Sequence, residues 1–135
     1  MTDGNREVLR RLQEAAQAQD WEAVSGCFTE GFVNHASPFQ GADGMTATLQ
    51  AIGADLDVTT HAVHDTVAEG DRVVQRVSLS GTHQGSRMPV LQGIPVHGKP
   101  FAWDFIHIWR FEGDRIAEHW ACRDDLGLRH QLEVV

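Results

Sequence analysis

The stretch FAWDFIHIWRFEGDRIAEHWACR, Phe101 to Arg123, decides the fold. On both sides of Gly113-Asp114, aromatic and β-branched residues alternate with polar ones, the period of strands that present two different faces. Glycine in the first place of a two-residue loop suits a type II′ turn, so the stretch reads as an antiparallel hairpin. With Glu112 opposite Arg115, counting outward sets His107 against Trp120, Ile108 against His119 and Asp104 against Arg123. One face then carries Trp103, Phe105, His107, Trp109, Glu118, Trp120 and Cys122. It is aromatic with one imidazole embedded in it, the composition of a ligand pocket. The opposite face carries Ile106, Ile108, Ala117, His119 and Ala121, with Asp104 and Arg123 as an ion pair, and suits contact with a second subunit. A three-residue loop would instead set His107 against His119.

Upstream, Val8, Leu9, Leu12, Ala15, Ala16, Trp21, Val24 and Phe28 recur at three- and four-residue steps. That spacing predicts one amphipathic helix from Arg6 to about Phe28, or a pair broken near Gln19-Asp20. FVNHASPFQGADGM is rich in Pro, Gly and Asn and predicts an irregular segment that carries Asn34 and His35 into a short helix at about Gly44 to Ile52. Two β-rich runs around Glu69-Gly70-Asp71 predict a second hairpin. Leu126 to Leu132 suggests a last short helix, capped by Asp124 or Asp125. Helices followed by about four antiparallel strands are the order of an α+β domain.

Bulk properties narrow the classes of function. A chain of 135 residues, 41% hydrophobic, fits a single domain over residues 1–135 with room for a core and a small-ligand pocket. A formal charge of −8, from 11 basic against 19 acidic residues, argues against nucleic acid as a partner. No apolar run approaches the ~20 residues of a membrane span, and the charged N-terminus lacks the apolar centre of a signal peptide, so no membrane partner and a cytoplasmic location are expected. Cys27 and Cys122 form no CxxC pair and read as small core residues. His61 and His64 should point to opposite faces of a strand, and His35, His83, His107 and His119 are dispersed, so no metal is expected.

FVNHASPFQG, GDRVVQRVSLSGTHQG, LQGIPVHGKP and RFEGDRIAEHWACRDDLGLRHQL, in that order, resemble the SnoaL-like polyketide cyclases, or ester cyclases, of the nuclear-transport-factor-2-like (NTF2-like) superfamily. The resemblance spans roughly Phe32 to Leu132. It implies a cone-shaped α+β fold of the cystatin-like α+β barrel type, a curved antiparallel or mixed sheet with N-terminal helices over a deep pocket, and no cofactor. It also implies a hydrophobic small-molecule substrate and a homodimer or homotetramer built on the outer sheet face.

Known members close a ring by intramolecular aldol condensation, and the resemblance assigns the acid/base to Asp124 and leaves Asp125 as the cap. It puts Asn34 near the ligand and includes His83 of Gly81-Thr82-His83 in its pattern. Strand parity adds His107 as a second proton-transfer group, with Trp103, Phe105 and Trp120 as walls for a planar substrate and His35 beside Asn34. Burial beside Trp120 would make the Asp124 carboxylate a better base. For each residue a structural role competes: a helix cap for Asp124, a satisfied core histidine for His107, turn chemistry for Asn34 and His35, a strand-end hydrogen bond for His83.

Two other functions fit the composition. Asp104, Arg123 and Asp124 supply the residue types of an epoxide hydrolase or hydratase, although the pairing above directs Asp104 and Arg123 away from the pocket. A non-catalytic small-ligand-binding protein is the other. Ketosteroid-isomerase and scytalone-dehydratase chemistry is disfavoured because the chain has no tyrosine.

Overall fold

The computed structural model describes residues 2–133. In chain order the elements are α1 (Thr2–Gln17), α2 (Trp21–Ser25), β1 (Phe28–Asn34), α3 (Gly41–Asp55), β2 (Leu56–Glu69), β3 (Arg72–His83), a 3-10 turn (Pro89–Leu91), β4 (Pro100–Glu112), β5 (Arg115–Arg123) and α4 (Asp125–Glu133). The five strands form one sheet in the order β1-β5-β4-β3-β2, with β1 parallel to β5 and the other pairs antiparallel. The sheet is open, and β1 and β2 are its edges. Helices on a mixed sheet are the expected α+β class.

The first helix breaks where the sequence suggested. Gln19 takes a left-handed φ of 56°, which ends α1. The Asp20 side chain then accepts the Ala23 N–H at 3.2 Å and caps α2. Phe28 belongs to β1 rather than to the helix, because Gly26 closes α2. The next helix is longer than Gly44 to Ile52 predicted.

Both hairpins have two-residue loops, Gly70-Asp71 and Gly113-Asp114. In each the glycine alone has a positive φ, 59° and 61°, as a II′ turn requires. The register of the second hairpin departs from simple counting after its first pairs. Phe111 pairs with Ile116 but Arg110 pairs with Glu118, so Ala117 is an extra residue in β5. Such a bulge reverses the facing of every later residue in the strand. It occurs where Ile116 and Ala117, adjacent in sequence, are both buried.

The inner face of the sheet packs against the helices as two apolar clusters. One joins α1, α2 and the Met45 turn of α3 to Phe28, Phe32, Val73, Trp109, Phe111 and Ile116. The other gathers Leu56, Val77, Phe101, Trp103 and Phe105 under Leu91, Ile94, Leu128 and Leu132. The segment 84–99 that supplies Leu91 and Ile94 is tied down by Asp55. Its buried carboxylate accepts the N–H groups of Arg87 (3.1 Å) and Met88 (2.7 Å). No helix among the described residues is long and apolar enough to cross a membrane.

Two further bulges, at Val58/Thr60 and Val63/Asp65, interrupt the pairing of β2 with β3. The first brings the Asp57 carbonyl so close to Gly81 that a Cβ there would lie 1.8 Å from the oxygen. Gly81→Ala should therefore lower stability by about 2–3 kcal/mol in urea denaturation, since two backbones must part. Gly31→Ala, whose Cβ would meet nothing within 4 Å, should change it by no more than about 0.5 kcal/mol.

Candidate active site

The two apolar clusters are separated on the inner face by a layer of polar side chains. Gln75 on β3 pairs with His107 on β4. On β4, Phe105 lies on one side of His107 and Trp109 on the other, with both rings stacked on the imidazole at 5.2 Å between centroids. Trp109 pairs with His119 on β5 and stacks on it at 4.0 Å. His119 pairs in turn with Asn34, at the end of β1.

These residues form a hydrogen-bonded chain. His107 Nδ1 lies 2.8 Å from His119 Nε2, and His119 Nδ1 lies 3.0 Å from Asn34 Oδ1. The same Asn34 oxygen accepts the Ala36 N–H at 2.9 Å, a side-chain turn of the kind Asn favours. Gln40 holds the Asn34 backbone from both sides, accepting its N–H at 2.9 Å and donating to its carbonyl at 2.7 Å. Asn34 and His119 are 3% and 5% exposed. His107, His61 and Gln75 are only partly covered, so the His107 end is the more open one.

The Ala117 bulge corrects the face assignment for β5. His119, expected on the outer face, points inward, and Glu118, Trp120 and Cys122 point outward. Trp120 pairs with Ile108 and stacks on His35 at 4.8 Å, under the guanidinium of Arg72. His35 Nε2 is 2.8 Å from Glu118, which also accepts from Arg110. His35 and Trp120 thus stand together across the sheet from His107. Trp103 and Phe105 are buried on the inner face as expected, 2% and 6% exposed.

Asp104 and Arg123 do not pair. Arg123 lies opposite Phe105 and donates to Asp125 at 3.2 Å, whereas Asp104 accepts from Ser78 at 2.6 Å on the outer face. At the helix the cap, expected of Asp125, falls to its neighbour. Asp124, exposed rather than buried beside Trp120, caps α4 by accepting the Gly127 N–H at 2.9 Å. Asp125 accepts the Trp103 indole N–H at 3.1 Å. His83 lies beyond the last pair of β3 with β4, donating Nε2–H to Ser86 Oγ, which itself donates to the Ile94 carbonyl. It anchors the segment 84–99. Two depressions, of about 520 and 540 Å³, run along β1, and neither includes the histidine chain.

A model of the SnoaL-like polyketide cyclase family matches residues 6–132. The chain belongs to that family. Its fold is shared with TsrD from Streptomyces laurentii at 26% identity and a TM-score of 0.84, covering 98% of this chain and 97% of that one. IdmH from Streptomyces antibioticus, a candidate polyketide cyclase, is 24% identical with a TM-score of 0.80, covering 96% and 99%. AclR from Streptomyces galilaeus, a candidate hydroxylase, is 20% identical with a TM-score of 0.81, covering 100% and 89%. No curated protein sequence matches the chain.

For this SnoaL-like chain the sequence put forward His107 and Asn34 as candidates, directed His119 outward unless the hairpin loop had three residues, and gave Gln75 and His61 no place beside them. The signal for His119 was the adjacent apolar pair Ile116-Ala117, which breaks strict alternation. His61 faces inward near His107, and its charge would oppose a charge there. Among the described residues no three potential ligands are grouped as a metal site requires.

Burial holds both relay imidazoles in their neutral form. His107 is pushed down to about 4, by burial first and then by His61 and Arg123. His119 is pushed down to about 3, by burial first and then by His107, Arg123 and His35. An unfolded chain with ordinary histidines near 6.5 would bind more protons as pH falls below that value. Stability should therefore decline from about pH 6.5 toward pH 4, and the pair adds no slope above pH 7. Urea midpoints at pH 7.5 and 5.0 should differ markedly in the wild type and less in His119→Gln, whereas equal slopes in both would remove the relay as the cause.

Proposed function

We propose that this chain is a cofactor-independent ring-closing enzyme that acts on a hydrophobic, planar small molecule, with His107 and Asp124 moving the protons. The observation that carries the reading is the His107–His119–Asn34 chain, a polar line set between two apolar clusters with its more open end at His107. Such a setting, apolar walls with a few placed polar groups, is what a small-molecule site needs. Likeness in fold to IdmH, a candidate polyketide cyclase, agrees with that substrate class.

In an aldol closure, a base takes a proton from a carbon flanked by carbonyls, and the electron pair moves onto the neighbouring oxygen as an enolate. The carbon then bonds to a second carbonyl of the same molecule, whose oxygen takes a proton. His107, neutral at physiological pH, is the base in this scheme, and Phe105, Trp103 and Trp109 support the ring system by stacking. Asp124 keeps Oδ2 without a hydrogen-bond partner among the described residues and serves as the second proton-transfer group. His35, Trp120 and His83 have no part in it.

The epoxide-hydrolase alternative is weaker, since Asp104 stands across the sheet from Arg123. A ligand-binding protein without turnover is favoured by one observation, the engagement of Asp124 as a cap.

The same proposal includes a homo-oligomer formed through the outer face. Val67 and Ile106, 64% and 47% exposed, flank Val74 and Ile108 there beside Trp120. Ile106→Lys should then yield a monomer in light scattering while wild type runs as a dimer or larger. For the chemistry, wild type, His107→Gln and Asp124→Asn should be incubated with aromatic polyketide esters and cyclic epoxides, with products followed by mass spectrometry and binding by tryptophan fluorescence. Each variant should still bind and should lose roughly 100-fold or more in turnover. Full turnover by Asp124→Asn would reduce that residue to a cap, and binding without product in the wild type would leave the ligand-binding reading.

A further inference from the structure

The hydrogen bonds of the relay allow only one arrangement of protons. Asn34 Oδ1 accepts from the Ala36 backbone N–H, which fixes that atom as the oxygen and not the amide nitrogen. Its second partner, His119 Nδ1, must then donate, so Nδ1 of His119 carries the proton and Nε2 does not. His119 Nε2 can only accept, which makes His107 Nδ1 the donor at 2.8 Å. One proton remains on each neutral ring, and His107 Nε2 is left as a bare lone pair with no partner among the described residues. Free imidazole has no such constraint, because either nitrogen can hold the proton.

We infer that the Ala36 amide, acting through Asn34 and His119, locks His107 as its Nδ1–H tautomer, so that the site accepts a hydrogen bond from a ligand that carries an enol or phenol O–H. Asn34 and His119 are positioning residues in this arrangement, and of the three hydrogen-bonded residues only His107 touches the ligand. The inference deepens the proposed function by naming the feature of the ligand that His107 reads, and it rests on that function for the location of the site. Its proton arrangement, however, can be read with no turnover at all.

A positive charge on His107 is disfavoured by burial first, then by His61 on β2 and Arg123 on β5. On His119 it is disfavoured by burial first, then by His107, Arg123 and His35. Trp109 and Phe105, stacked above and below His107, present carbon to it. A neutral acceptor in an apolar layer discriminates strongly between a hydroxyl and its ether, because the ether leaves the lone pair unsatisfied.

Histidine-labelled protein examined by two-bond 1H–15N correlation at pH 7 should show His107 and His119 as Nδ1–H tautomers. Asn34→Ala should release both rings to a mixture. Asn34→Asp, close to isosteric, should retain the tautomers and raise the pH at which they titrate, because an anion favours the protonated ring. A wild-type His107 in the Nε2–H form overturns the inference even if neither variant folds, as does an Asn34→Ala spectrum with unchanged tautomers. Binding followed by tryptophan fluorescence supplies the ligand arm: 2-naphthol should bind about five- to tenfold more tightly than 2-methoxynaphthalene, and His107→Phe should abolish the difference. Equal binding of the two, or none of either, overturns the recognition of a hydroxyl, whereas absence of turnover with the tautomers intact counts only against the cyclase reading.

Discussion

The bulge at Ala117 is the constraint on which the site depends. Ile116 and Ala117 are neighbours in the chain and both are buried, which a strand of strict alternation cannot achieve. Turning one of them outward would forfeit apolar burial on the order of 1–2 kcal/mol, so the strand admits an extra residue instead. The backbone beside the bulge stays paired on its other sides. Ile116 N–H donates to the Cys27 carbonyl at 2.8 Å, and Phe111 N–H donates to the Asp71 carbonyl at 2.8 Å. Once the parity has changed, His119 must face inward and Trp120 outward, and the chain from His107 to Asn34 becomes possible.

A polar chain inside an apolar layer is stable only when its members satisfy one another, because each buried lone pair or N–H without a partner costs about 1–3 kcal/mol. Here the satisfaction runs in one direction and ends at a backbone amide, which cannot lose its proton or turn away. Gln40 extends the control by holding the Asn34 backbone. The loop after β1, irregular and polar in sequence, is therefore hydrogen-bonded to the end of the chain that it supports. Asp55 serves the segment 84–99 in a comparable way, with a buried carboxylate that pins two backbone amides and so positions Leu91 and Ile94 over the second cluster.

Much of this was legible in the sequence, for physical reasons that also explain what was not. The hairpin turns were legible because glycine tolerates the φ that a two-residue loop demands, and the helix break was legible from Asp20. The β4 face was legible because its alternation runs unbroken from Phe101 to Phe111. Beyond the turn the same counting assigned β5 to the wrong faces, since a bulge is decided by tertiary burial of two residues and leaves only a faint local mark. The two aspartates were not separable by type: either can cap a helix, and the choice fell to Asp124 because its carboxylate reaches the Gly127 N–H while Asp125 reaches the Trp103 indole. The pairing of Asn34 with His119 joins the end of β1 to β5 and could not be read from local pattern at all.

The use of asparagine at the buried end of the chain has a consequence for what the site can hold at rest. A carboxylate in that place would orient His119 equally well, but it would also favour a protonated imidazole, placing an ion pair between two apolar clusters where desolvation is expensive. The amide orients without charge and leaves both rings neutral. In the proposed reaction, positive charge would arise at His107 only while a ligand group gives up a proton and becomes the counter-anion beside it. With Arg123 held by Asp125 at one margin of the layer and His61 at another, the surroundings oppose a lone cation and favour its prompt return of the proton. A ring closure requires the same balance, since the proton taken from carbon at the start has to be delivered to oxygen at the end.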